Sequence, residues 1–129
     1  MSNALRLASN VFATIFIGFG INAILRPKSG LSFFELPYPT FSPAQKQLAD
    51  ALLAVYGVRD IFMGLAMYAV AYCGDRKTLG FVVLAAAAVA FADGAVCKVM
   101  VGQGEWNHWG YAPIVAGVGG VLLSGSDAK

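Results

Sequence analysis

The sequence predicts an all-α integral membrane protein: a four-helix bundle with a proline- and aromatic-rich loop between its first and second helices. Three observations predict it. The 129 residues are 58% hydrophobic and only 12% charged, with a mean hydropathy of +0.67; an ordinary soluble domain is about 25% charged. Four apolar runs, 5–25, 44–73, 78–101 and 107–123, each come near the ~20 residues that carry a helix through a hydrocarbon core ~30 Å thick. Between them lie short connections rich in charge, glycine or proline. The length allows one domain, residues 1–129.

The first span is Leu5–Leu25, with Asn10 and Asn22 as polar points and Gly18 and Gly20 allowing close helix approach. Arg6 before an apolar core resembles a signal peptide. The run continues to Leu25, however, and meets Arg26-Pro27-Lys28 with no small-residue cleavage site, so the segment is expected to stay in the protein. Pro27, Pro37, Pro39 and Pro43 then exclude a continuous helix. Phe33, Phe34, Tyr38 and Phe41 are too apolar for a solvated loop and predict a strap on the membrane interface or folded back over the bundle.

Ser42-Pro43 reads as an N-cap followed by proline at the first helical position. The second span, 44–73, opens with Lys46 and Asp50 as a surface pair. A charged turn, Gly74–Lys77, leads to the third span, 78–101, where Ala86, Ala90 and Gly94 form a small-residue ridge suited to close packing. The fourth span, 107–123, carries Gly117, Gly119 and Gly120, and the polar tail 124–129 is expected to be disordered. Both termini then share a side, taken as cytoplasmic because the short turn carries Arg76 and Lys77. In a eukaryote the endoplasmic reticulum is the expected membrane.

The net charge of +2 and the lack of a long basic run leave no case for nucleic acid. Cys73 and Cys97 fall near opposite faces of this layout, so both are expected as free thiols. One histidine cannot build a histidine-rich metal site or a bis-histidine haem, and no nucleotide loop or nucleophile elbow is present. No metal and no cofactor are therefore expected, and any chemistry is acid–base work or borrows a cofactor.

The polar residues sort by depth. Arg59 and Asp60 interrupt the apolar run 51–72, where a central charge costs roughly 2.5–3.5 kcal/mol on insertion scales. Asp93 lies about 12 Å inside the face that holds the first loop. Asn22 and His108 enter from that same face, with Lys98 snorkelling toward it. The other half of the bundle reads almost wholly as leucine, valine, alanine and methionine. This layout predicts a polar pocket under the aromatic strap, with Glu35 on its lid.

Arg59 and Asp60 read two ways, as a structural lock, with Arg59 pairing to Asp93, or as part of a site. Asp93, between Ala92 and Gly94, is the sharper acid or base. His108, beside Trp106 and Trp109, is either a boundary residue or a proton carrier. The candidate catalytic residues are Asp93, Asp60, His108 and Arg59, and the candidate substrate contacts are Asn22, Tyr56, Glu35 and Trp109.

The stretches YGVRDIFMGLAMYAVAY, DRKTLGFVVLAAAAVAFADGAV and GQGEWNHWGYAPIVAGVGG carry a resemblance. The chain resembles a family of small four-span membrane proteins of fungi and bacteria, catalogued as a domain of unknown function. The shared pattern falls on Gly57, Arg59, Asp60, Gly64, Asp93 and His108. In build the chain is also similar to anthrone-oxygenase-like membrane proteins, and that similarity implies a lipophilic biosynthetic intermediate.

The resulting expectation is a membrane enzyme that isomerises or cyclises a polyketide- or terpenoid-like molecule, or oxygenates it without a cofactor. Its alternative is a non-catalytic binder or transporter of a lipophilic or cationic molecule. The expected partners are that small molecule, membrane lipid and a second copy in a homodimer. A third reading is a scaffold whose arginine–aspartate contacts are purely structural.

Overall fold

A computed structural model describes residues 1–125 of the chain. The last four residues of the tail expected to be disordered lie outside the described residues. Six α-helices run in the order α1 (Asn3–Leu25), α2 (Pro27–Ser32), α3 (Pro43–Cys73), α4 (Arg76–Val96), α5 (Trp106–Trp109) and α6 (Ala112–Ser124). No strand occurs among the described residues.

The helix boundaries follow from local chemistry. Ser2 caps α1 by accepting from the Leu5 N–H. Arg26 leaves the helical region and Pro27 starts α2, because proline fits the first helical position, where its missing N–H has no partner to lose. The segment expected to lack a continuous helix therefore holds one short helix. Ser42 accepts from the Gln45 N–H with Pro43 at the start of α3, as its sequence suggests. Asp75 caps α4 through the Thr78 N–H, so the turn after α3 is shorter than the expected Gly74–Lys77. α4 runs on into one π-helical turn, Cys97–Val101, which ends at Gly102 with φ +89°. Only glycine takes that conformation without strain.

Three helical stretches are long and apolar enough to cross a membrane: Asn3–Leu25, Pro43–Cys73 and Arg76–Val101. The fourth differs from the expected 107–123. The chain makes one turn of helix at α5, bends at Gly110–Tyr111, and starts α6 only at Ala112, with Pro113 in its first turn. The 13 residues of α6 reach about 20 Å, less than the ~30 Å of a hydrocarbon core. The reason is tertiary: within the single turn of α5, Asn107 and His108 are both hydrogen-bonded to the Phe33 carbonyl of the strap, and the chain bends before α6 begins.

The bundle is two close helix pairs, α1 along α3 and α4 along α6, with looser contact between the pairs. Glycine makes both close pairs possible. A Cβ on Gly20 would meet the Gly57 carbonyl oxygen, and a Cβ on Gly57 would meet that of Gly20. One heptad away the Ala13 backbone faces Gly64 in the same way. In the second pair, Gly80 takes Leu123 and Gly119 takes Leu84. Gly18, Gly117 and Gly120 face open space, so only Gly20 and Gly119 fill the packing roles expected of those stretches. Gly94 accommodates the Trp109 indole rather than a helix backbone, while Ala86 and Ala90 are core. Phe16, Met63, Met67, Val83, Val115 and Leu122 fill the space between the pairs. Cys73 is exposed and Cys97 buried, both free thiols.

Gly57→Leu should force α1 and α3 apart at a cost of about 1–3 kcal/mol, the usual range for overpacking. Gly18→Leu, two residues from Gly20 and on the open side of α1, should leave the melting temperature in detergent unchanged. Thermal melts of the two purified variants check this.

Candidate functional site

The candidate site is built where α3 faces α4. Arg59, four turns into α3, extends its guanidinium to Asp93, which sits one turn before the end of α4. Nη2 donates to Asp93 Oδ2 at 2.8 Å and Nη1 to Oδ1 at 3.2 Å, a two-pronged pair. Nη2 also reaches Asp60 Oδ1 at 3.3 Å. Asp60 is only 2% exposed, whereas the Arg59 side chain keeps 38% of its surface. The guanidinium lies over the Tyr56 ring, 4.5 Å from its centroid, and its Nε is buried without a hydrogen-bond partner. One cation thus sits between two carboxylates on an aromatic face.

The pair spans the looser seam of the bundle, and below it that seam opens into a groove of about 380 Å³. Arg59 heads the groove; Phe62, Met63 and Ala66 of α3 and Val82, Ala85 and Val89 of α4 continue it. A second recess, about 430 Å³, lies under the strap against the first turns of α3, walled by Leu31, Phe34, Leu48, Leu52 and Tyr56 among others. This differs from the polar pocket expected under the strap: the recess there is apolar, and the ion cluster heads the neighbouring groove.

Residues 45, 48, 52, 56, 59, 63 and 66 follow helical spacing, so both recesses lie along one stripe of α3. Tyr56 and Arg59 form its waist.

His108 is placed differently from the other candidate catalytic residues. Its Nε2 stands 3.1 Å from the Phe33 carbonyl oxygen, and because a carbonyl only accepts, that nitrogen carries the proton. The Asn107 amide donates to the same oxygen at 3.0 Å and to Glu35 Oε1 at 3.1 Å. His108 lies before α6, outside the three membrane-length helices, and burial holds its imidazole below the ordinary value of 6.5. The Phe34 ring packs on both Tyr56 and His108, and so stands between the strap recess and a cavity of about 10 Å³ lined by His108, Tyr56 and Tyr111. That cavity has room for about one water molecule.

The structure thus brings Arg59, Asp60, Asp93 and Tyr56 together, with His108 one aromatic ring away. Asn22 is spent on Ser29, joining α1 to α2. Glu35, at φ +55°, is held by Asn107 and covers Gly104. Trp109 fills the slot at Gly94 and donates to the Phe91 carbonyl. Lys98 pairs with Glu105 at 2.9 Å, and its ammonium holds that carboxyl below the usual range. Asn107 and Phe34 were not among the sequence candidates; the Asn107-His108 dipeptide opposite a Phe-Phe strap was the one available signal.

The opposite half of the bundle, expected to be almost wholly apolar, carries a short polar ladder. Asn10 donates to the Tyr72 hydroxyl at 3.0 Å, and Thr14 is hydrogen-bonded to Tyr68. Their matching four-residue spacings on α1 and α3 could have revealed this ladder. Among the described residues, no three histidine, cysteine, aspartate or glutamate side chains are grouped to hold a metal ion.

Fold and site together define an all-helical protein with membrane-length helices and an arginine–carboxylate cluster on a lateral apolar groove. The chain belongs to the family described as Domain of unknown function (DUF4267), whose model matches residues 13–122. No curated protein and no solved structure matches it.

Removing one partner of the cluster should cost more than removing both. Asp93→Asn alone should destabilise by about 1–2 kcal/mol, because it takes away the two-pronged partner and leaves the part-exposed Arg59 only its longer contact with Asp60. Adding Arg59→Gln should return part of that loss, as a double-mutant cycle of melts in detergent measures. A second prediction concerns the strap. The contribution of a buried neutral His108 is complete above its unfolded pKa and is lost as pH falls from 6.5 through the depressed folded value. Tryptophan fluorescence from Trp106 and Trp109 should hold steady above neutrality and change as pH falls below 6.5, and His108→Gln should abolish that step.

Proposed function

We propose that the protein binds a lipophilic molecule along the outer stripe of α3, with a polar oxygen of that molecule at the Tyr56–Arg59 waist. Its apolar parts lie in the groove below and the recess above. The observation that carries this reading is Arg59 itself: a half-exposed cation at the head of an otherwise apolar groove, with carboxylates behind it. An intramembrane charge left partly open is costly unless something polar meets it.

Turnover by proton transfer is the chemistry such a site supports best. Asp93 or Asp60 serves as acid or base, and Arg59 steadies the oxyanion that develops when a proton leaves the carbon beside a carbonyl. Isomerisation or cyclisation needs no more than positioned protons and a shaped pocket. His108, whose protonated nitrogen is engaged by Phe33, shapes the strap end of the site rather than giving up that proton.

The same reading takes the chain as crossing the membrane four times, with cytoplasmic termini. α6 runs antiparallel to α4 between two fixed points: Trp109 donates to Phe91 at one end, and Arg76 donates to the Leu122 and Val121 carbonyls at the other. It covers the apolar length of α4 between those points, about 15 residues or ~23 Å at the helical rise.

The test compares host cells making equal membrane levels of wild type, Arg59→Gln, Asp93→Asn, or Ala85→Phe, which fills the groove and leaves the ion cluster alone. Purified wild type should carry a lipophilic compound in its organic extract that Arg59→Gln and Ala85→Phe lose. In an enzyme, Asp93→Asn accumulates that compound while wild-type cells hold an isomer of equal mass. A gain of oxygen mass instead points to the oxygenation that the similarity to anthrone-oxygenase-like proteins implies. Should all four strains hold the same compounds, differing only in their distribution across the membrane, the site serves transport. An empty wild-type extract removes the binding proposal.

A further inference from the structure

A second polar cluster lies at the other end of the α1–α3 pair and takes no part in the site above. Arg6, in the second turn of α1, lays its guanidinium over the ring of Tyr72, in the last turn of α3, 5.8 Å from the centroid. No carboxylate pairs with it among the described residues, and its Nε is buried without a hydrogen-bond partner.

One turn on, the Asn10 amide nitrogen donates to the Tyr72 hydroxyl, which leaves that hydroxyl's own proton to point elsewhere. Asn10 Oδ1 is buried and unmatched. The Tyr68 ring stacks beside that of Tyr72, with centroids 6.5 Å apart and planes 10° from parallel.

These groups have a common need. The guanidinium and the tyrosine hydroxyl are unspent donors about a turn from the ends of their helices, the level at which lipid phosphates sit beside a bilayer core. Arginine's planar fork suits phosphate oxygens. Asn10 contributes by fixing the Tyr72 hydroxyl through its amide nitrogen, which leaves the hydroxyl proton for a phosphate oxygen. Leu7 and Val11 on α1 and Leu65 on α3 are exposed and apolar nearby, and they offer acyl chains a surface to follow down the helices. A free phosphate has no use for that surface.

We propose that Arg6, Tyr72 and Asn10 form a binding site for the phosphodiester of a membrane phospholipid, in the leaflet on the side of the chain termini. The lipid headgroup neutralises Arg6, and its acyl chains lie along the α1–α3 seam. This site is separate from the Arg59 groove, which lies farther along α3, toward its strap end.

The test uses full-length protein purified in detergent, with native mass spectrometry to count bound molecules. Phosphatidylglycerol, phosphatidylethanolamine, diacylglycerol and inorganic phosphate are each added separately. Wild type should retain one phospholipid and neither diacylglycerol nor inorganic phosphate. Arg6→Gln should lower phospholipid retention about tenfold, the scale of one lost charge-assisted contact. Tyr72→Phe should lower it less, and Lys77→Gln, which removes a neighbouring charge on the same face, should leave it unchanged.

Arg6→Lys guards against a folding defect: it keeps the charge without the fork, and should fall between wild type and Arg6→Gln while melting like wild type. Equal retention by wild type and Arg6→Gln overturns the proposal. So does an equal loss in Lys77→Gln, which would mean diffuse surface charge, or binding of inorganic phosphate as firm as that of lipid.

Discussion

The pair between Arg59 and Asp93 is the interaction on which the rest of the arrangement depends. Each half of the bundle is closed at glycine, by backbone contact between Gly20 and Gly57 in one half and by leucine side chains seated on Gly80 and Gly119 in the other. Neither contact reaches across. Between the halves stand Phe16, methionines and aliphatic side chains, which in a lipid surrounding gain little by choosing one another over acyl chains. A two-pronged ion pair is directional where those contacts are not. It fixes the depth of α4 against α3, and so sets the width of the groove beneath it.

The same pair limits what Arg59 can do. Both terminal nitrogens face Asp93, Nη2 is shared with Asp60, and the ring of Tyr56 covers one face of the guanidinium. Anything that binds at the waist must do so on the side left open. Structural locking and ligand binding are therefore not rival accounts of this arginine. The lock holds the guanidinium still, and a fixed donor loses less freedom on meeting a ligand than a mobile one.

The strap closes the bundle at the face where the pairs are otherwise open. Phe33 contributes its carbonyl oxygen and Phe34 its ring, and adjacent residues of one strap thus meet Asn107 and His108 together. Tyr38 reaches Asp50 on the first turns of α3, which also holds Lys46. At 31 residues α3 is about 46 Å long, well beyond a hydrocarbon core. Its first turns can stand in the headgroup region, where a strap of aromatic and proline residues is at home.

The sequence by itself determined that the long helices are apolar and long enough to cross a membrane. Apolar runs of span length admit no other backbone in lipid, because every N–H and C=O must be paired within its own segment. Ser42-Pro43 set the start of α3, and the depth of Asp93 and Arg59 along their spans was a matter of counting residues at the helical rise. What tertiary structure decided was rotation and the fate of single residues. Depth says nothing of which way a side chain faces, and each residue turns about 100° from the last. So only the packed bundle shows Arg59 turned to Asp93, His108 turned to a backbone carbonyl instead of the carboxylates, and Asn22 spent on Ser29. The late start of α6 has the same origin. Its sequence reads as helical from residue 107, but two of those residues are held by a strap some 75 positions earlier in the chain.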